Sequence, residues 1–280
     1  MTKLVDFIII GGMKCGTTSI ATLLDYHPEV CFSIPKEPDF FTYDNYKKEV
    51  SNYHQLFSNA NKLWGEGSTS YTKFIDEDIP KRMYEYNPSL KLIYILRAPI
   101  KRIVSQYEYN QKLKGGEFFD INTIITEKPH YIRCSQYAKQ LALYLKYFPL
   151  EQILIFTLEE YQENRENVIK KLAHFLDVEE KDFVRENIHY NNSELVNSQL
   201  NKLTGRLVNT TLSKRIIKAL SPQFKSKVKN YLKYLQSSNK NVKLEKPKFN
   251  SENKKYLEEL FNEEMNDFEL LTGQRLYNQN

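Results

Sequence analysis

Residues 7–19 read Phe7-Ile8-Ile9-Ile10-Gly11-Gly12-Met13-Lys14-Cys15-Gly16-Thr17-Thr18-Ser19. Four consecutive apolar residues running into two glycines predict a buried strand that ends in a sharp turn. The stretch after Gly16 predicts a helix from about Thr17 to Tyr26, which His27-Pro28 stops because proline cannot continue it. Strand, glycine-rich turn and helix is the arrangement that presents backbone N–H groups to an anion. Gly11, Gly12 and Gly16 let the backbone come close to a phosphate. Thr17, Thr18 and Ser19 add hydroxyls at a helix N-terminus, where the dipole favours negative charge. Lys14 and Cys15 lie inside the turn, and the lysine reaches toward the same anion.

Working outward, Leu63–Glu66, Leu92–Leu96 and Ile153–Phe156 also predict short buried strands. Helical spacing is expected from Pro99 towards Lys112, over Tyr131–Phe148, Val168–Leu176 and Tyr256–Leu271. Apolar strands alternating with helices predict an α/β fold, a P-loop-like parallel sheet flanked by helices. After about Ser193 strand signals fade, and the C-terminal part reads as mainly helical. The expectation is one domain over 1–280, with a core at 1–192 and a helical extension at 193–280.

Hydrophobic residues make up 41% and charged residues 27% of 280, enough for a sizeable core and against global disorder. No apolar run is long enough for a signal-peptide core or a membrane span. Cys15, Cys31 and Cys134 have no metal-type spacing and read as reduced, buried thiols. Together these predict a cytoplasmic, bacterial protein with no metal. The net charge of +5 is uneven: 202–248 carries thirteen Lys or Arg against Glu245 alone, or +12, and the rest carries −7. Such a block attracts polyanions or simply solvates a helical surface.

The loop's spacing discriminates between phosphate binders. A triphosphatase loop reads G-x-x-x-x-G-K-[ST], with lysine after the last glycine. Here Lys14 precedes Gly16, and Thr17 follows that glycine directly. The K-x-G-T-T-S pattern after a strand resembles the 5′-phosphosulfate loop of sulfotransferases that use 3′-phosphoadenosine 5′-phosphosulfate. That resemblance implies donor contacts from Gly12, Lys14, Cys15, Gly16, Thr17, Thr18 and Ser19. It places Lys14 at the 5′-phosphate and the bridging oxygen, where it stabilises charge on the leaving group. Arg97-Ala98-Pro99 after the Leu92–Leu96 strand, with Ser105 further on, is similar to the family's 3′-phosphate motif. By that match Arg97 supplies charge-assisted contacts and Ser105 a hydroxyl. Arg102 reads as an exposed helix residue.

Pro35-Lys36-Glu37-Pro38-Asp39-Phe40-Phe41 resembles the K-E-P-x-F-F stretch of heparan-sulfate-type glycosaminoglycan sulfotransferases. In those enzymes the glutamate is the general base, so the resemblance makes Glu37 the base and sets Lys36 beside the reacting groups. The histidines His54, His130, His174 and His189 are rivals, as in small-molecule sulfotransferases, while His27 looks structural. Trp64–Tyr71 is similar to the family's G-E-x-[ST]-P-x-Y segment, with Ser70 in place of proline. The chain departs from the pattern at Tyr190–Ser198, which has no Lys or Arg where the family offers a basic residue to the 3′-phosphate. The implied partner is a small-molecule or saccharide acceptor, a carbohydrate or glycolipid hydroxyl or amine, with no nucleic acid. Three readings stay open beside it: a nucleotide-triphosphate-dependent kinase, a non-catalytic polyanion-binding protein, and an inactive relative that keeps the nucleotide site.

Overall fold

A computed structural model describes residues 3–73, 76–112, 119–183 and 247–277. Five strands form one sheet: β1 (Phe7–Gly11), β2 (Val30–Phe32), β3 (Leu63–Gly67), β4 (Lys91–Leu96) and β5 (Ile153–Thr157). Their order is β2-β3-β1-β4-β5, and every pairing is parallel. Ten helices accompany them among the described residues. They are α1 (Thr17–Asp25), α2 (Tyr46–His54), α3 (Asp78–Tyr86), α4 (Pro99–Lys112), α5 (Ile121–Glu127), α6 (His130–Arg133), α7 (Tyr137–Leu145), α8 (Leu158–Glu163), α9 (Arg165–Leu176) and α10 (Ser251–Thr272).

Side chains on a strand alternate between faces, and the apolar run of β1 feeds two cores at once. Ile8 and Ile10 join Leu92, Tyr94 and Leu96 on the face covered by α2, α3, α7 and α10. Phe7 and Ile9 join Ile93 and Ile95 on the face covered by α1 and α9. All five β1 residues are buried. A parallel sheet with both faces covered accounts for strands that are apolar throughout. Burying one isoleucine side chain here is worth about 2 kcal/mol.

The expected strands and the helices at 17, 99 and 168 appear within a few residues of their predicted bounds. Three local differences have physical causes. β2 is only three residues long, too short for a periodic signal, and exists because Val30–Phe32 pairs with Leu63–Gly65. The continuous helix expected over Tyr131–Phe148 is instead two, α6 and α7, broken at Cys134–Gln136. Arg102 causes the break: its guanidinium donates to the Tyr131 carbonyl and the Ser135 hydroxyl, and the Gln140 amide takes the Arg133 carbonyl at 2.6 Å. The last helix starts at Ser251 rather than Tyr256, because Asn250 accepts from the Asn253 N–H at 2.7 Å and caps it.

Arg102 also corrects the sequence reading, since it is fully buried rather than exposed. Its third contact is Gln106 Oε1 at 2.7 Å. Helix α10 packs on α7, so this helical C-terminal element belongs to the same core as the sheet. The 192/193 boundary, Tyr190–Ser198 and the basic stretch up to residue 246 lie outside the described residues.

Candidate functional site

In the order β2-β3-β1-β4-β5 the chain steps left of β1 for β2 and β3, then crosses to its right for β4. At such a reversal, outside the carboxyl ends of the strands on either side, here β1 and β4, open parallel sheets form the crevice in which ligands bind. The 11–16 loop leaves β1 on one side of it, and Arg97 leaves β4 on the other.

The loop is anchored from below. Gly12 N–H donates to the Ile95 carbonyl at 2.6 Å, and Cys15 N–H to the Gly12 carbonyl at 3.1 Å. Gly11 is forced by contact, because a Cβ there would lie 1.9 Å from Thr72 Oγ1. Gly16 is forced by conformation as well, with φ +87° and a Cβ that would meet Leu158 Cδ1 at 2.7 Å. Gly16 precedes the first turn of α1, and the N–H groups of Gly16, Thr17 and Thr18 have no backbone acceptor among the described residues. Free N–H donors at a helix N-terminus, together with the helix dipole, are the arrangement that favours an anion.

Side chains of the predicted site divide between roles. Cys15 turns inward, fully buried with its sulfur 3.9 Å from the Tyr137 hydroxyl. Burial pushes its thiol up to about 12. Lys14 adopts φ +65° and carries its ammonium 4.1 Å above the Tyr109 ring of α4. Arg97 donates from one terminal nitrogen to the Lys14 carbonyl at 3.2 Å, tying the end of β4 to the loop. The Tyr137 hydroxyl holds the Arg97 carbonyl at 2.8 Å. Arg97 Nε is buried with no partner among the described residues, an orphaned donor that suits a phosphate oxygen. Ser105 stands half-buried in the second turn of α4, and Thr18 and Ser19 are half-buried at the start of α1.

Lys36 and Glu37 join this loop from the segment after β2. The Lys36 ammonium lies 2.7 Å from Glu37 Oε1, 3.5 Å from Thr17 Oγ1 and 3.3 Å from the Gly67 carbonyl. The other Glu37 oxygen accepts from Thr69 Oγ1 at 3.2 Å. Thr69 is a site residue the sequence reading did not name, although it lies within the Trp64–Tyr71 segment. Thus the carboxylate is bracketed by a cation and a hydroxyl, and the same cation touches the first residue of α1.

A second carboxylate underpins this arm. Glu66 is fully buried and accepts from Tyr71 at 2.6 Å, Ser68 at 2.8 Å and Tyr53 at 3.1 Å. Burial pushes its carboxyl up to about 8 against the opposing pull of those hydroxyls. Ser68 Oγ in turn accepts from the Asp39 N–H at 3.0 Å, and Ser70 donates to Asp39 Oδ1. Nothing in the sequence flagged Glu66 beyond its place in the G-E pair.

His27 and His54 find their partners outside this constellation. His27 is buried, with Nε2 3.0 Å from the Glu179 carbonyl and Nδ1 accepting from the Glu29 N–H at 3.3 Å. With both ring nitrogens engaged, the grouping of His27, Glu29 and Asp182 has no imidazole to offer a metal. His54 pairs with the Tyr86 hydroxyl at 2.8 Å, and His189 lies outside the described residues. Cys31 and Cys134 are buried free thiols.

Residues 4–269 match the sulfotransferase domain family model. The chain belongs to the sulfotransferase family. Among curated relatives of this sulfotransferase domain is heparan sulfate glucosamine 3-O-sulfotransferase 5 of Mus musculus, 37% identical over 164 residues, 53% of this chain and 46% of that protein. The bifunctional heparan sulfate N-deacetylase/N-sulfotransferase of Drosophila melanogaster is 26% identical over 63% of this chain and 20% of its own length. The chain therefore matches less than half the length of either relative. A sulfotransferase from Alicyclobacillus acidocaldarius has the same fold, with a TM-score of 0.59 at 22% identity, covering 80% of this chain and all of that one. Among the described residues no helix is long and apolar enough to cross a membrane.

Proposed function

We propose that this sulfotransferase moves a sulfuryl group from 3′-phosphoadenosine 5′-phosphosulfate to a hydroxyl or amine of a heparan-sulfate-like saccharide. The observation that carries the reading is the Lys36–Glu37–Thr17 contact, in which Lys36 links a carboxylate to the first residue of α1, next to the phosphate loop. The curated relatives named for heparan sulfate support the acceptor class. The donor supplies an activated sulfuryl group, whose S–O bond to the bridging phosphate oxygen breaks as the acceptor oxygen or nitrogen bonds to sulfur.

Glu37 takes the acceptor proton on a carboxylate oxygen, and Thr69 holds that carboxylate in place. Lys36 and Lys14 place positive charge where negative charge grows on the leaving oxygen. The N–H groups of Gly16, Thr17 and Thr18 bind the 5′-phosphate, and Arg97 with Ser105 binds the 3′-phosphate. Arg97's orphaned Nε supports that assignment. None of these residues needs a metal for its role, which separates this scheme from a Mg²⁺-dependent kinase.

Incubation with radiolabelled donor and desulfated heparan oligosaccharides tests the proposal. Label is expected in the saccharide with wild-type protein and is expected to fall sharply with Glu37→Gln. No labelled saccharide, or tight metal-dependent binding of ATP in preference to 3′,5′-bisphosphoadenosine, overturns it.

A further inference from the structure

Three buried polar atoms, Arg97 Nε, Glu159 Oε2 and the Tyr277 hydroxyl, have no partner among the described residues, and Arg97 and Glu159 both lie near enough to act electrostatically on the Tyr277 phenol. They come from the end of β4, the first turn of α8 and the segment that follows α10. Glu159 is fixed next to Arg97 because its other oxygen accepts from the Ala98 N–H at 3.3 Å. Tyr277 packs with Leu276 against the cluster that contains Tyr137, whose own hydroxyl holds the Arg97 carbonyl at 2.8 Å. The charges of Glu159 and Arg97 both act on the Tyr277 phenol, which burial keeps protonated.

Buried polar groups are almost always satisfied, so a cluster of unsatisfied ones beside a binding crevice signals a missing ligand. This cluster offers two donors, a guanidinium N–H and a phenol O–H, and one acceptor, a carboxylate oxygen. A ribose that bears a phosphate next to a free hydroxyl presents the complementary set. Its phosphate oxygens accept, and its hydroxyl donates.

We propose that Tyr277 is a donor-nucleotide ligand, its hydroxyl binding the ribose 3′-phosphate together with Arg97 while Glu159 accepts from the neighbouring 2′-hydroxyl. The inference rests on the donor assigned under Proposed function and extends it. It also supplies a polar contact to the 3′-phosphate in a chain whose Tyr190–Ser198 segment lacks Lys and Arg. The segment after α10 thereby becomes part of the nucleotide site, brought there by the packing of α10 on α7.

The test is calorimetric titration of wild-type protein and Tyr277→Phe with 3′,5′-bisphosphoadenosine and with adenosine 5′-monophosphate, which lacks the 3′-phosphate. The phenylalanine keeps the ring packing, and an unchanged unfolding temperature verifies the fold. Loss of one hydrogen bond to a charged group predicts about a tenfold weaker bisphosphate affinity in the variant. Monophosphate affinity should stay the same. Equal bisphosphate affinity in the two proteins overturns the inference and leaves the donor assignment standing. So does tighter binding by the variant, which would make the hydroxyl an obstruction. Wild-type protein that shows no preference for the bisphosphate refutes the donor assignment itself, and the inference with it.

Discussion

The Lys36 ammonium lies 2.7 Å from Glu37 Oε1, with 10% of the lysine side chain and 37% of the glutamate exposed. The pair is therefore asymmetric: the cation is withdrawn against Thr17 and Gly67, while the carboxylate is the more exposed partner.

Glu37→Gln keeps the shape and removes the carboxylate proposed as the base. Turnover is expected to fall by roughly 10²–10⁴-fold, the usual worth of a positioned base, with nucleotide affinity little changed. Steady-state transfer rates together with nucleotide titration check this. An equal fall in both would make the residue a binding group instead.

Gly11→Ala drives a methyl group to within 1.9 Å of Thr72 Oγ1, which itself donates to the Ile10 carbonyl at 2.9 Å. Overpacking of this kind costs about 1–3 kcal/mol, read as a lower urea midpoint at unchanged slope. Thr72→Ala in the same chain should recover part of the loss. Strict additivity of the two substitutions would show that the contact is not what matters.

Glu66 sets a pH dependence of stability. Burial raises its folded pKa to about 8, above the ordinary value of 4.5, so between those values the folded state binds more protons than the unfolded one. Its contribution is complete below about pH 4.5 and lost as pH rises towards 8, a fall on the order of 5 kcal/mol at most. Glu66→Gln should flatten that part of the profile in urea melts at a series of pH values. A wild-type profile that rises across this window on account of Glu66 contradicts the assignment.

Arg102 is a fully buried cation that donates to Ser135, Gln106 and the Tyr131 carbonyl. Arg102→Lys cannot reproduce this fork and leaves acceptors unsatisfied, so a loss of about 2–4 kcal/mol is expected. The same variant should increase amide hydrogen exchange around the α6–α7 junction. Unaltered exchange there would mean the break does not depend on the arginine.

Much of the fold was legible because its signals are local. The run Phe7–Ile10, the glycines behind it and the strand Leu92–Leu96 announce a parallel sheet with anion sites at strand ends. Each needs only neighbouring residues to be read. Likewise Lys36-Glu37 and Arg97 with Ser105 stood out as short motifs. The burial of Arg102 was not legible, since an arginine three residues into a helix looks the same in sequence whether α6 and α7 enclose it or water does. Nor could spacing reveal the break at Cys134–Gln136, which that buried charge creates.

By itself, then, the sequence determined the strand–loop–helix, the identity of the basic and acidic groups around it, and membership in the sulfotransferase family. Tertiary structure alone decided that Lys36 touches Thr17, that Thr69 brackets Glu37, and that Tyr277 packs against the core that holds Tyr137. The physical reason is that strand order, not spacing, sets which loops share a crevice. With β1 between β3 and β4, the segments after those strands converge, and the packing of α10 on α7 carries the segment behind it to the same place.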